Sequence, residues 1–356
     1  MKSLNSILFL YLFTFFSCSS NGLQDLKEID HIINKSVEND HPGLGIGIVK
    51  NGKVIYEKYR GLSNLQHQIP FSKKTRSNIA STAKQFTALM ILDLSMKGKL
   101  NLDEDIRKYF PNLYKKVDDE IKIRHLVNHT SGIHEYVNLI SQKDKVWWKQ
   151  VGLDNDKIIE LLEEQNELEF SPGTKYNYSN SNYNVLAKII EKVSGETFTE
   201  YSKIFFIDLN MVETSFVERY MGVIPNRANP YSDWGRGEWW ETPTVTKTSG
   251  EGFLYTTLSD QLIFEKKLQN SNQDLFIKSQ KPIPESEIKT YGFGLKLADR
   301  LGKKAIHHDG VTFGFHSQTL RFPEEKLTIF ILSNNGNLRS DLMADEIAKF
   351  LLRKDK

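Results

Sequence analysis

Ser81-Thr82-Ala83-Lys84 opens an apolar-periodic stretch, Gln85-Phe86-Thr87-Ala88-Leu89-Met90, and sets a hydroxyl and an amine one helical turn apart. Residues at i and i+3 share a helix face with Cβ atoms roughly 5–6 Å apart, so the Lys84 amine can reach the Ser81 hydroxyl. Phe86, Leu89, Met90 and Leu94 repeat at a period that buries one side of a helix, and Gly98 supplies the stop. Ser81 then falls in the first turn, where unpaired N–H groups and the positive end of the helix dipole favour a developing oxyanion. The same dipole, with burial, disfavours an ammonium and lowers the pKa of Lys84 toward that of a useful base. The pattern alone also admits a helix cap beside a solvated lysine. Ser-x-x-Lys occurs again at Ser286 and Lys289, in a polar Pro-containing loop with no helical period, and carries no weight there.

Around this stretch the chain alternates in a readable way. Leu23, Leu26, Ile29, Ile32, Ile33 and Val37 have helical spacing and end before His41-Pro42-Gly43. Leu44 to Val49 and Val54 to Tyr59 read as strands joined at Asn51-Gly52, a strong hairpin signal. The middle is mostly helical, clearest over Ser81 to Lys97, Ile121 to Asn128, Asp156 to Gln165, Tyr183 to Val193 and Phe198 to Phe206. Ser317 to Arg321 and Leu327 to Leu332 form a second hairpin around Pro323-Glu324-Glu325-Lys326, and Leu342 to Leu352 closes as a helix. Strands at both ends of a helical middle predict an α+β fold, one antiparallel sheet built from both termini and flanked by helices, with a mostly helical insertion. The expected organisation is a single catalytic domain over 23–356, its sheet part 23–79 plus 245–356 and its helical part 80–244.

The chain has 356 residues, and 39% hydrophobic content is enough for a substantial core. Lys plus Arg (47) nearly balances Asp plus Glu (45) with no block of either sign, so a nucleic-acid partner is not suggested. Ile7 to Phe16 is an apolar run behind Met1-Lys2, too short for a spanning helix and right for the h-region of a signal peptide over 1–17. Cys18, the only cysteine, follows at once and rules out an internal disulfide. Its place resembles the lipidated cysteine of a bacterial lipoprotein, with 18–22 as a tether, although Phe15-Phe16-Ser17 departs from the usual pattern before it. The expectation is an exported protein, periplasmic or anchored at the outer membrane through Cys18; an ordinary signal peptide cleaved near Ser20 is the alternative.

Two further places hold groups able to do chemistry. Tyr178-Ser179-Asn180 follows the turn Phe170-Ser171-Pro172-Gly173-Thr174, and a tyrosine beside a lysine can pass a proton to and from a serine while an asparagine amide orients both. His308-Asp309-Gly310 stands before a strand, where a glycine lets substrate approach the backbone and the Val311 N–H can donate to an oxyanion. Each has a bland reading as well, Tyr178 as packing and His308 as a solvated strand end.

Taken together, these segments resemble the serine β-lactamase-related proteins, which include class C β-lactamases, D-alanyl-D-alanine carboxypeptidases and esterases. The resemblance runs through Ile79 to Ala88, Leu100 to Asp105, Ile123 to Ile133, Phe170 to Tyr183, Tyr291-Gly292-Phe293-Gly294, His308-Asp309-Gly310 and Leu320 to Pro323, in family order. It implies a β-lactamase/transpeptidase-like fold and an acyl-enzyme on Ser81, with Lys84 and Tyr178 moving protons. It further implies that Asn180, His308, Gly310 and Val311 bind substrate, with the Ser81 and Val311 N–H groups as oxyanion hole, and that no metal or cofactor is required. His307, His308, Asp309 and His316 lack the ligand spacing of a known metal site. The expected partner is a small-molecule or peptide substrate, peptidoglycan-derived material among the candidates.

Two positions depart from the family. Ala83 replaces a usual small hydroxyl residue, and Asp309 stands where relatives carry threonine. If Asp309 points inward it repels a substrate carboxylate; if it turns out to solvent it does not, and strand alternation leaves both open. Weak or absent turnover of penicillins and cephalosporins is expected, with better activity on neutral esters or amides. A noncatalytic peptidoglycan-binding relative is the competing class, disfavoured by the intact Ser81, Lys84 and Tyr178. An α/β-hydrolase is set aside because no Gly-x-Ser-x-Gly elbow is present. Trp234, Trp239 and Trp240 are read either as a wall of the cleft or as core cover, and Trp147 and Trp148 as packing.

Overall fold

Asn51 and Gly52 adopt φ of 51° and 70°, the left-handed pair that matches the twist of a hairpin, and join β1 (Leu44–Lys50) to β2 (Lys53–Arg60). In this computed structural model, which describes residues 20–144, 152–216, 222–242 and 248–353, four late strands complete the sheet. They are β3 (Lys296–Arg300), β4 (Lys303–Thr312), β5 (Phe315–Phe322) and β6 (Leu327–Ser333). The order is β3-β4-β5-β6-β1-β2, antiparallel throughout, with β1 seated against β6 from Leu44 opposite Ser333 to Lys50 opposite Leu327. The α+β architecture expected from strands at both chain ends is the one observed.

Alternation along β1 divides the sheet between two cores. Leu44, Ile46 and Ile48 join Ile329 and Ile331 under α1 (Ser20–Ser36) and α10 (Ser340–Leu352), against Ile29, Ile33, Ile347 and Leu351. α1 begins three residues before Leu23, so positions 20–22 of the expected tether are its first turn. The expected signal segment 1–17, Cys18, Trp147 and Trp148 lie outside the described residues. On the other face, Gly45 and Gly47 leave room for Leu258 and Leu262 of α8 (Leu258–Asn270).

A short 3-10 turn, Ala80–Ala83, leads into α2 (Lys84–Met96). The sequence predicts one buried face, but α2 is buried on nearly every side from Lys84 to Leu92. The reason is its place: α2 packs on α6 (Asn180–Ser194) and α9 (Asp274–Ser279), so no side is left for water. Behind it, the Arg321 guanidinium of β5 makes paired hydrogen bonds to Glu265 of α8, at 2.8 and 2.6 Å, and donates to Gln85 at 2.7 Å and Gln280 at 3.0 Å. Those bonds compensate a charge taken almost wholly out of water. The helical layer also contains α3 (Ile123–Val127), α4 (Tyr136–Lys143), α5 (Asn155–Glu163) and α7 (Phe198–Asp208). Among the described residues no helix is long and apolar enough to cross a membrane.

Candidate active site

The turn that carries Ser81 is held by main-chain geometry. Ala80 sits at φ 46°, an unfavourable region for a residue with a Cβ, and its N–H is taken by Asn78 Oδ1 at 2.8 Å. Gly310 of β4 presses on the same turn: a Cβ there would meet the Ile79 carbonyl oxygen at 2.2 Å and Ser317 Oγ at 2.4 Å. The glycine is therefore required for strand and turn to touch. The expectation that it makes space for substrate is corrected, because its open side faces protein.

Lys84 points from the first residue of α2 back toward Ser81. Its Nζ lies 3.2 Å from Ser81 Oγ, 2.8 Å from Asn180 Oδ1 and 2.6 Å from the carbonyl oxygen of Glu251. The side chain is fully buried. Burial lowers its pKa to about 7, and the carboxylates of Glu251, Glu135 and Asp309 only partly offset that. The helix-cap reading of Ser81 falls, since no solvated lysine is present.

Tyr178 stands on the other side of Lys84, whose Nζ is 4.9 Å from the ring centroid. The Tyr178 side chain is partly exposed, but its hydroxyl is buried and has no hydrogen-bond partner of good geometry among the described residues, although it is near enough to Ser81 for that hydroxyl to bear on its charge. Burial pushes its pKa well above the ordinary phenol value, so Tyr178 is a neutral donor and Lys84 the better base. His129 braces this segment. It is fully buried, its ring lies 4.3 Å from that of Tyr178, and its Nδ1 faces the Ser179 N–H at 3.2 Å and the Asn182 amide at 3.1 Å. His129 is thus a structural brace of the Tyr178-Ser179-Asn180 segment.

Glu135 and Glu251 escaped the sequence reading. The Glu135 carboxylate accepts from both the backbone N–H and the side-chain amide of Asn180, which fixes Asn180 Oδ1 toward Lys84. Glu135 is also the N-cap of α4 yet makes no side-chain cap bond; a glutamate is an uncommon cap, and here it is engaged elsewhere. Glu251 is buried, accepts from Asn184 at 2.9 Å, and has its pKa raised by burial despite Lys84. Neither residue stands in a spacing that signals chemistry.

Three expectations about the walls change. His308 is 1% exposed with Nε2 3.0 Å from the Tyr291 hydroxyl and Nδ1 2.6 Å from the Asp309 carbonyl oxygen. Burial and the Lys84 charge lower its pKa to about 3, so it is a neutral buried brace and not a cation at the substrate. Asp309 is partly exposed and ion-paired with Lys296 of β3; burial opposes its ionisation, but the Lys296 hydrogen bond and charge win and hold its pKa low. It is therefore neither bare in the site nor free in solvent. Trp234 and Trp240 are 64% and 52% exposed, and Trp239 meets His41 edge-on at 5.5 Å, so the tryptophans neither wall the cleft nor cover core. The reason is their hairpin, Tyr231–Ser232 with Trp240–Glu241, which carries them outward. Val311 does line the cleft with Ser81 and Asn180. The second Ser-x-x-Lys serves a turn, Ser286 Oγ accepting from Asn128 and donating to Ile288.

This sheet-and-helix frame, with a serine and a buried lysine at the base of a cleft, is the scaffold of penicillin-binding-protein-like serine hydrolases. The structure superposes with a TM-score of 0.79 on an octameric penicillin-binding protein homologue from Pyrococcus abyssi, at 24% identity over 93% of this chain and 77% of that one. A D-amino acid amidase from Ochrobactrum anthropi gives 0.75 at 20% identity, covering 93% and 99%. Protein flp of Staphylococcus aureus strain MRSA252 is 29% identical over 320 residues, 86% of this chain and 62% of the relative, so the chain spans under two thirds of that curated relative's length. The profile described as Beta-lactamase matches residues 29–353, and the chain belongs to that family of serine hydrolases.

Proposed function

We propose that this chain is an exported serine hydrolase that cleaves a neutral ester or amide through an acyl-enzyme. The observation that carries the reading is the fully buried Lys84, 3.2 Å from Ser81 Oγ and with a pKa near neutrality, at about 7. Neutral Lys84 takes the Ser81 proton as Oγ bonds to the carbonyl carbon. The Ser81 and Val311 N–H groups receive the oxyanion. As the bond to the leaving alkoxide or amine breaks, the proton passes to it through Lys84 and the Tyr178 hydroxyl. Water then adds to the acyl carbon, gives a proton back through the same pair, and releases the acid with Ser81 restored. Asn180, fixed by Glu135, keeps Lys84 aimed at Ser81.

A carboxylate-bearing substrate is disfavoured, because Lys296 is engaged by Asp309 and His308 is neutral. That separates the reading from a β-lactamase proper or a D-alanyl-D-alanine carboxypeptidase, and the likeness to a D-amino acid amidase supports ester or amide chemistry. Gly310 and Val311 act through the main chain. Export rests on the apolar run Ile7 to Phe16, and membrane attachment on Cys18.

The test is a fluorophosphonate probe with p-nitrophenyl butyrate as substrate. Labelling and turnover that both vanish in Ser81→Ala are expected; labelling of neither form and no turnover would leave a binding protein. Incorporation of labelled palmitate in a bacterial host, lost in Cys18→Ser, tests the anchor.

A further inference from the structure

Ser81 opens into a cleft of about 170 Å³ whose side-chain walls are mostly apolar: Tyr136, Val137, Phe253, Val311 and Phe313. Among the described residues no lysine or arginine lines it, and the one carboxylate there, Glu251, is buried and bonded to Asn184. The cleft follows β4 onward from Val311 to Phe313, away from the Asp309–Lys296 pair. Its walls come from separate, fixed elements. Tyr136 and Val137 start α4, with the Tyr136 N–H held by Ser181 Oγ at 2.7 Å. Phe253 is locked at φ 57°, and Phe313 is held by its carbonyl oxygen, which accepts from Thr242 at 2.7 Å.

We infer that this cleft receives the acyl group of the substrate and selects a neutral, apolar one about the size of a single aromatic ring or a branched four-carbon chain. The inference rests on the hydrolase reading above and names the substrate class for it. An apolar cavity of about 150 Å³ is enough to take up benzene. Apart from Asn180 and Thr312, the walls offer a charged or hydroxylated acyl group few of the hydrogen bonds it would leave behind in water. A long acyl chain exceeds the volume. Val137 and Phe313 are the selecting residues, since both are only partly buried side chains that border the cleft, Val137 with its inner side on the core and Phe313 outside it.

The experiment is a kcat/KM series on purified protein with p-nitrophenyl acetate, butyrate, phenylacetate, laurate and hydrogen succinate. Butyrate and phenylacetate are expected to exceed acetate by about tenfold or more, the usual scale for filling an apolar pocket, with laurate and succinate below acetate. Val137→Trp should lower the phenylacetate-to-acetate ratio at least about tenfold, and Phe313→Ala should raise the laurate-to-acetate ratio by a similar factor. Fluorophosphonate labelling of each variant confirms that its Ser81 is intact. Turnover of all five esters at comparable kcat/KM, or ratios unmoved in both variants, overturns the inference and leaves the hydrolase reading standing. No turnover of any ester, with no labelling, overturns both.

Discussion

Lys84 Nζ lies 3.2 Å from Ser81 Oγ, and the lysine that makes this contact exposes no surface to solvent. Burial sets its pKa at about 7, and only the neutral amine can accept a proton. Acylation is therefore expected to rise about tenfold per pH unit on the acid side and to level off above neutrality. A profile of log kcat/KM for a neutral ester checks this. A limb still climbing toward pH ~10, the ordinary lysine range, would mean that Lys84 is not the base.

Tyr178→Phe separates chemistry from stability. The phenol hydroxyl is buried without a partner of good geometry, and deleting such a group is nearly neutral or stabilising. Denaturant unfolding should change by less than about 1 kcal/mol, while turnover falls about 10²–10⁴-fold. A variant that loses stability and keeps activity would remove Tyr178 from the proton path.

Glu135→Gln removes a negative charge that raises the Lys84 pKa against the larger lowering effect of burial. The ascending limb should move to lower pH. The plateau should fall about tenfold as Asn180 loses one of its two fixed acceptors. Identical limbs in parent and variant would show that the Glu135 charge does not reach Lys84.

Asp309→Thr frees Lys296 from its ion pair. Acylation by a fluorescent penicillin is expected to be slow in the parent and about tenfold or more faster in the variant, as a like-charge contact is exchanged for an available cation. Fast nitrocefin hydrolysis by the parent would contradict this, as would equal rates in the two proteins.

Ser81 and Lys84 could be paired from the sequence because one helical turn joins them, whereas Tyr178 and Asn180, far along the chain, came to them only through the family resemblance. The two hairpins could be read directly, since Asn51-Gly52 and the Pro323 turn write their geometry into a few residues. Glu135 and Glu251 could not, because what makes them matter is a meeting across the fold with Asn180 and Lys84. Asp309 was ambiguous by alternation alone, and its partner, Lys296, sits on a strand the sequence did not announce. The direction of the tryptophans depended on a hairpin whose strands are only two residues long.

Gly310 leaves no space for even a methyl group between β4 and the turn that holds Ser81. Nucleophile and sheet are thus one mechanical body, joined main chain to main chain by segments from opposite ends of the chain. Such a site has little scope to fray by itself. Loss of activity on heating should coincide with global melting of the sheet, with no earlier, local step in which the enzyme is folded but silent.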